Sequence, residues 1–486
     1  MTMQYTPIIG LEVHLELQTK SKMFCGCSTD IFQAEPNTHT CPVCLGLPGA
    51  LPVANKQACI SCLQIGLALG CTLNDVAIFA RKHYGYPDLA KGYQISQYEL
   101  PFCIAGQLHL ADSTTIRITR AHMEEDTGKL VHSTLDGRDV SFVDFNRSGI
   151  PLVEIVSEPD IHSSAQAEEY GRLLQQLMQY LGVSEASMEK GLMRFEANIS
   201  LKPTSDTSDN LPAYKVEVKN LNSFKALRDA IEYEIKRQAE LLDQNKTPAQ
   251  ETRGWDDIRG RTCTQREKEN AHDYRYFPDP DLTPMTWMKS LEAQLLATLP
   301  ELPWAKRARY QQDYGLSPYD AHVLTLDKNV ASFFEETLAL APQDSVKTIV
   351  KKIANWLTVE VGRLVNEHQL SLHSSKLAPS HLLNIVQQIE KARLSNTNAK
   401  ILLTELFLHG GDPEEIIQSQ NLAQVTDQAV VHAAIQKILT EQPKAVAEYK
   451  AGKVTVLQFL IGMTMRELKG KGDTQTIRQL LEESLA

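Results

Sequence analysis

The sequence predicts an α+β fold: a mainly antiparallel β domain with flanking helices and a cysteine-clipped loop, then an all-α helical domain, then a small helical C-terminal tail domain. Three observations predict it. Up to about Pro284 the chain returns to period-two alternation, as in "LEVHLEL", "TTIRITRA", "DVSFVDFN" and "KVEVKN", broken by Gly, Pro and Asn turns. After "FPDPDLTP" the period changes, with Val346, Ile349, Val350, Ile353 and Leu357 on one helical stripe and Leu382, Ile385, Val386 and Ile389 on another. The 486 residues, 42% hydrophobic and 22% charged, are enough for two or three separate cores.

The first strand signal is "IIGLEVHLELQ". Ile9, Leu11, Val13, Leu15 and Leu17 share one face, and Glu12, His14 and Glu16 share the other, which makes a half-buried strand. An isolated strand of this kind ordinarily shows its polar face to water. Next comes "FCGCSTDIFQAEPNTHTCPVCLGLPG", with Cys25 and Cys27 as C-x-C and Cys41 and Cys44 as C-x-x-C. Four thiolates in two close pairs fill a tetrahedral zinc and leave no open position, so the site is structural, with His39 an alternative ligand. Cys59 and Cys62 form a second C-x-x-C, but they lie among apolar residues at helical spacing and read as buried, inert thiols.

"RKHYGYPDLAKGYQISQYELP" interleaves Arg81, Lys82 and Lys91 with Tyr84, Tyr86, Tyr93 and Tyr98. Rings that stack and cations that reach phosphate suit nucleic-acid recognition, although on composition alone a tyrosine-rich loop packed on the sheet is the simpler reading. "HMEEDTGK" adds Glu124, Glu125 and Asp126 at a strand end. A helix over "AEEYGRLLQQLMQYLG" closes on Gly182. "LMRFEANISLK" then places Arg194, Glu196 and Asn198 on one face, "YKVEVKNLN" places Lys215, Glu217 and Lys219, and a second helix follows over "SFKALRDAIEYEIKRQAELL". Acids and bases recurring on such faces are the ingredients of a Mg-nucleotide site, since hard cations take carboxylate oxygens and bridge to phosphate. Glu16 is left as ordinary strand-face polarity. The expected domains are 1–294, 295–410 and 411–486, the last opening at "LHGGDPEE" and carrying Lys450, Lys453, Arg466, Lys469 and Lys471 around an apolar helix.

Bulk charge excludes a uniformly basic surface, because 49 Lys+Arg against 60 Asp+Glu give a formal net charge of -11. Nine cysteines, most of them in the first quarter, do not describe a secreted disulfide framework. With no signal-like start and no apolar run long enough to cross a bilayer, a soluble cytoplasmic protein without membrane contact is expected. No G-x-x-x-x-G-K-[ST], G-x-G-x-x-G or G-x-S-x-G is present, so a nucleotide would be bound on an unusual fold and catalysis would work through positioning and electrostatics.

Together, "GLEVHLELQTKSKMFCGC", "CPVCLGLPGALPVAN", "YPDLAKGYQISQY", "DFNRSGIPLVEIVSEPD", "SMEKGLMRFEANIS" and "YRYFPDPDL" resemble the GatB family, one of the three components of the bacterial-type heterotrimeric glutamyl/aspartyl-tRNA(Gln/Asn) amidotransferases. The likeness runs to the last helical block, "YKAGK" through "MRELKGKGD". It implies a catalytic cradle domain, a helical linker domain and a tail domain that binds the body of the tRNA. It also implies ATP-dependent transamidation of misacylated Glu-tRNA(Gln), Asp-tRNA(Asn) or both. Ammonia would come from a glutaminase/amidase partner, with a small third component bracing the pair. ATP, Mg2+ and a structural zinc are the implied cofactors. Glu12, His14, Glu124 and Glu125 match the family's metal-binding motifs, with Glu217 a further ligand. Arg194 and Lys82 or Lys91 are the contacts implied for phosphate or substrate carboxylate. The chain departs from the family pattern at His83, Gly85 and Ala90, where Asn, Phe and Pro are more usual, and at Glu196, where Asp is common.

Overall fold

The alternation of the first strand sets the architecture around it. A computed structural model describes residues 5–267, 274–423, 428–468, 472 and 474–485. There β1 (Tyr5–Glu16) buries Ile9, Leu11, Val13 and Leu15 completely, leaving Glu12, His14 and Glu16 on the opposite face. The other strands are β2 (Thr72–Leu73), β3 (Ala80–His83), β4 (Tyr93–Ser96), β5 (Cys103–His109), β6 (Thr115–Glu125), β7 (Lys129–Leu135), β8 (Arg138–Asp144), β9 (Pro151–Ser157), β10 (Met193–Pro203), β11 (Val216–Leu221), β12 (Glu251–Asp256), β13 (Arg261–Glu267) and β14 (Phe277–Pro278). Nine of them form one sheet in the order β13-β12-β11-β10-β1-β9-β6-β5-β2. A three-stranded sheet, β14-β3-β4, and the hairpin β7-β8 complete the β structure.

Only one neighbouring pair of the large sheet is parallel, β11 with β12. The chain between them runs through a helix, which a parallel return requires. That helix is α3 when counted after α1 (Lys56–Ala68) and α2 (Ser164–Leu181), and it spans Phe224–Asp243. Both predicted helices begin on serine caps: Ser163 Oγ accepts from Gln166 N and Ser223 Oγ from Ala226 N. Helix α2 ends on Gly182 at φ 69°, the left-handed position that glycine takes without a Cβ penalty. The apolar sheet face packs on these helices, with Leu174, Leu177, Leu227 and Ile231 at 0% exposure. Each such side chain contributes roughly 1.5–3 kcal/mol by leaving water. Cys59 and Cys62 lie buried in α1, as their spacing predicts.

The chain divides into two compact units, Met1–Leu302 and Pro303–Ala486. The second is helical and holds two apolar cores. One runs from Tyr310 to Leu422 and includes Ile349, Val350, Ile353, Leu382, Ile385 and Val386; the other runs from Val431 to Leu485. The changeover falls beyond the Gly-Gly break at 410–411, because the short helix Pro413–Ser419 puts Ile417 into the first core. No helix among the described residues is long and apolar enough to cross a membrane.

Gly171 shows how tightly the sheet and its helices meet. A Cβ there would lie 2.8 Å from Cζ of Phe195 and 3.1 Å from Cε1 of Phe224. Alanine favours a helix interior over glycine by about 1 kcal/mol, but the overlap with the Phe195 ring costs roughly 1–3 kcal/mol. Gly171→Ala is therefore expected to lower the denaturant midpoint of the Met1–Leu302 unit. A raised midpoint would show that α2 has slack against β10.

Candidate cation-binding face and cysteine clip

Strand register assembles a row of acids from five strands. β1 lies between β9 and β10, with His14 opposite both Glu154 and Arg194, and Glu12 opposite Glu196. On the far side of β9, His122 of β6 is opposite Glu154. Beyond β10, Glu217 of β11 is opposite Asn198. Two clusters result, His14 with Glu124 and Glu154, and Glu12 with Glu196 and Glu217. In each, one donor atom per residue lies within 4.8 Å of the others.

In the first cluster His14 Nε2 stands 3.7 Å from Glu154 Oε2 and 3.9 Å from Glu124 Oε2, beyond hydrogen-bond length but close enough for one ion to bridge. His14 Nδ1 is buried without a hydrogen-bond partner. Glu124 accepts from Ser96 Oγ at 2.7 Å and Gln94 Nε2 at 3.1 Å. His122 Nε2 lies 3.3 Å from Glu154 Oε2 and 3.6 Å from Glu124 Oε1. Burial opposes ionisation of Glu154, but His122, His14 and Lys82 outweigh it and hold the carboxyl well below the usual range.

In the second cluster Glu12 accepts from Asn198 Nδ2 at 2.8 Å, Glu196 from Lys219 Nζ at 2.6 Å, and Glu217 from Thr252 Oγ1 at 2.7 Å. The Glu12 carboxyl is pushed up, by burial first and then by Glu154, Glu196 and Glu217. Burial is the larger cause, and the three neighbouring carboxylates add to it. A mainly carboxylate donor set with a lone imidazole fits a hard divalent cation such as Mg2+.

The expected residues separate here. Glu12, His14, Glu124 and Glu217 lie in the clusters. Glu125 does not, because successive strand positions diverge: it pairs with Lys91 and accepts from Ile95 N at 2.9 Å. Arg194 is engaged by Asp126, 2.9 Å from Nη2 to Oδ1, and Arg147 approaches the same acid. Lys82 lies under the Tyr274 ring, 5.2 Å from its centroid, with Glu124 and Glu154 as its nearest acids by field. The tyrosines largely pack on one another, Tyr98 stacking on Tyr276 at 4.6 Å and Tyr84 meeting Tyr274 edge-on, while Tyr86 is exposed. Glu154 and His122 were not singled out from sequence, and Asp126 was noted only as one of the acids of "HMEEDTGK"; a lone acid inside the apolar run "PLVEIVS" was the available signal for Glu154. Glu16, read as ordinary strand-face polarity, is instead a buried carboxyl that feels the charges of Asp126, Arg147 and Arg194.

The four cysteines Cys25, Cys27, Cys41 and Cys44 converge with their sulfurs mutually within 4.8 Å. Sγ of Cys41 and Cys44 are 3.9 Å apart, against about 3.8 Å for the edge of a tetrahedron with zinc–sulfur bonds near 2.3 Å. The set fits zinc. Bonding to Cys25 is the first cause that holds the Cys44 thiol down to about 4, with burial opposing and Cys41 and Lys22 helping. Backbone bonds from Met23 N to Gly149 O (2.7 Å) and from Gly149 N to Asp126 O (2.8 Å) tie the clip to the acid-bearing strand end.

A β-rich domain with an acid-bearing sheet face and a cysteine cluster, continued by helices, is the class that this arrangement defines. Residues 7–292 match the family model described as the GatB/GatE catalytic domain, and residues 332–485 that described as the GatB domain. The chain belongs to the GatB family. It is 46% identical over 486 residues to the aspartyl/glutamyl-tRNA(Asn/Gln) amidotransferase B subunit of Thermomicrobium roseum, with 99% of each chain covered. To the protein of the same name from Carboxydothermus hydrogenoformans it is 44% identical over 487 residues, again with 99% of each covered. The protein so named from Caldanaerobacter subterraneus is 44% identical over 487 residues, with both chains covered completely.

The Glu16–Asp126 pair has a pH consequence. Burial first, then Asp126, push the Glu16 carboxyl from 4.5 up to about 8. Between those values the folded chain keeps a proton that the unfolded chain has released, so stability falls as pH rises. Glu16→Gln is expected to flatten this decline when urea midpoints at pH 5 and pH 8 are compared. An unchanged slope would place the proton elsewhere.

Proposed function

We propose that this chain is the tRNA-dependent activating and amide-forming subunit of an ATP-dependent amidotransferase that converts Glu-tRNA(Gln), Asp-tRNA(Asn) or both to the amidated forms. The observation that carries this reading is the row of two donor clusters on one sheet face, in a chain whose full-length relatives are named for that reaction. Those names specify one lettered component of a larger enzyme. The partners proposed are therefore a glutaminase/amidase that releases ammonia from glutamine and a small third component, giving a heterotrimer.

A side-chain carboxylate resists ammonia because its leaving group would be oxide. Moving the terminal phosphoryl group of ATP onto it gives an acyl phosphate and ADP; attack by ammonia then breaks the C–O bond to phosphate and forms the amide. Positioning and charge are what the protein must supply. His14, Glu124 and Glu154 would hold one Mg2+, and Glu12, Glu196 and Glu217 are the donors for a second. When bound, Mg2+ neutralises phosphate oxygens. Glu125 is assigned to holding Lys91 rather than metal, and Arg194 to holding Asp126. Lys82, beside Glu124 and Glu154, is the cation best placed for phosphate or for the substrate carboxylate. The zinc of the cysteine clip is proposed as structural.

The tail core from Val431 to Leu485 is the proposed contact for the tRNA body. Lys444, Lys450 and Arg466 are exposed on it, whereas Lys437 and Lys453 pair with Glu467 and Glu448. Lys469 and Lys471 lie outside the described residues.

Glu154→Gln tests the reading directly. In the assembled complex it is expected to lower ATP-dependent tRNA amidation by roughly 10²–10³-fold, the scale on which one preorganised electrostatic contact counts, while glutamine hydrolysis stays normal. Full amidation by that variant would remove the first cluster from the chemistry. Removing the chain from residue 424 onward is expected to weaken tRNA binding, with amidation recovering at high tRNA concentration. Unchanged tRNA affinity would end the role given to the tail.

A further inference from the structure

Lys22 is fully buried, and no other described lysine is buried to that degree. Its ammonium has no carboxylate at ion-pair distance among the described residues. Nζ instead faces Cys44 Sγ at 3.7 Å and the carbonyl of Phe145 at 3.3 Å. A carbonyl dipole does not offset a whole buried charge, whose desolvation costs several kcal/mol unless an anion faces it. In the loaded site that anion would be the zinc-bound Cys44 sulfur.

Cys44 is suited to the role. It is 4% exposed, and its sulfur also receives the backbone N–H of Cys41 at an N–S distance of 3.1 Å. Four thiolates around one divalent zinc carry a formal excess of two negative charges, and a cation at one sulfur removes half of it. Such outer contacts orient ligands and tune what they hold. The backbone fixes Lys22 against the same loop, since Lys22 N donates to Cys27 O at 2.9 Å.

We propose that Lys22 is a positioning residue of the cysteine site: its buried amino group, set 3.7 Å from Cys44 Sγ, holds that sulfur in place and offsets the charge of a four-thiolate metal, so that the metal is retained. This rests on the reading of the four cysteines as a zinc site. The test uses the full chain. Elemental analysis of the wild type is expected to find zinc. Lys22→Met, which keeps length and removes charge, is expected to bind zinc roughly 10–100-fold more weakly in competition with a chelator. With Co2+ in place of zinc, the same variant should move the sulfur-to-cobalt charge-transfer band to longer wavelength while the four-sulfur tetrahedral ligand-field bands persist, a change that loss of packing would not produce. In the unmutated chain, the Nζ resonance of Lys22 should shift when Cd2+ replaces zinc, which decides the matter even if the variant fails to fold. Unaltered zinc affinity and an unmoved band in Lys22→Met, or an Nζ resonance indifferent to the metal, would overturn the role of Lys22. A wild-type chain that neither contains nor takes up zinc would overturn the zinc reading beneath it.

Discussion

Strand β1 must pair in one register with β9 and β10, and the acidic face exists only in that register. Side chains alternate along a strand, so a slip of one residue would send Glu12 and His14 to the helix-covered side and expose Val13 and Leu15. The apolar residues of β1 prevent this by being buried completely. The same burial that stabilises the unit therefore fixes which acids meet. Packing and chemistry are specified by one alternation.

That arrangement stores repulsion. Five glutamates, Glu12, Glu124, Glu154, Glu196 and Glu217, share a sheet face with little water to screen them. The chain meets part of this charge itself, through Lys219 on Glu196, His122 beside Glu124 and Glu154, and Lys82 in reach of the same pair by field. The Glu12 carboxyl is pushed up, by its burial first and then by Glu154, Glu196 and Glu217. Neighbouring charges that balance, Lys91 with Glu125 and Arg194 with Asp126, lie at the strand end and act as framework. Charge left over is what distinguishes the cation-binding clusters from the ion pairs beside them.

Much of this was legible in the sequence, and the reasons differ by residue. Period-two alternation exposed β1, β10 and β11, and with them Glu12, His14 and Glu217. Cysteine spacing exposed the clip, because thiolate geometry needs little tertiary context. Glu125 misled because adjacency in sequence reads as proximity, whereas on a strand it means divergence. Glu154 was hidden by an apolar strand that buries both faces and so shows no alternation around it. His122 becomes visible only through register with a strand far away in the chain, and Asp126, noted among the acids of "HMEEDTGK", shows its pairing with Arg194 only in the folded chain. Glu16 looked ordinary because its partner sits on a neighbouring element, where no local pattern points.

The long reach of the central pairing also has a consequence during synthesis. Thr6 of β1 and Thr204 just beyond β10, whose hydroxyls meet, are 198 residues apart. At about 5–20 residues per second, the first strand leaves the ribosome roughly 10–40 s before the last of its partner, with both edges open and one side wholly apolar. A nascent chain of that form is a template for unwanted strand addition. Glu12, His14 and Glu16 give the waiting strand one polar side until β9 and β10 pair with its two edges.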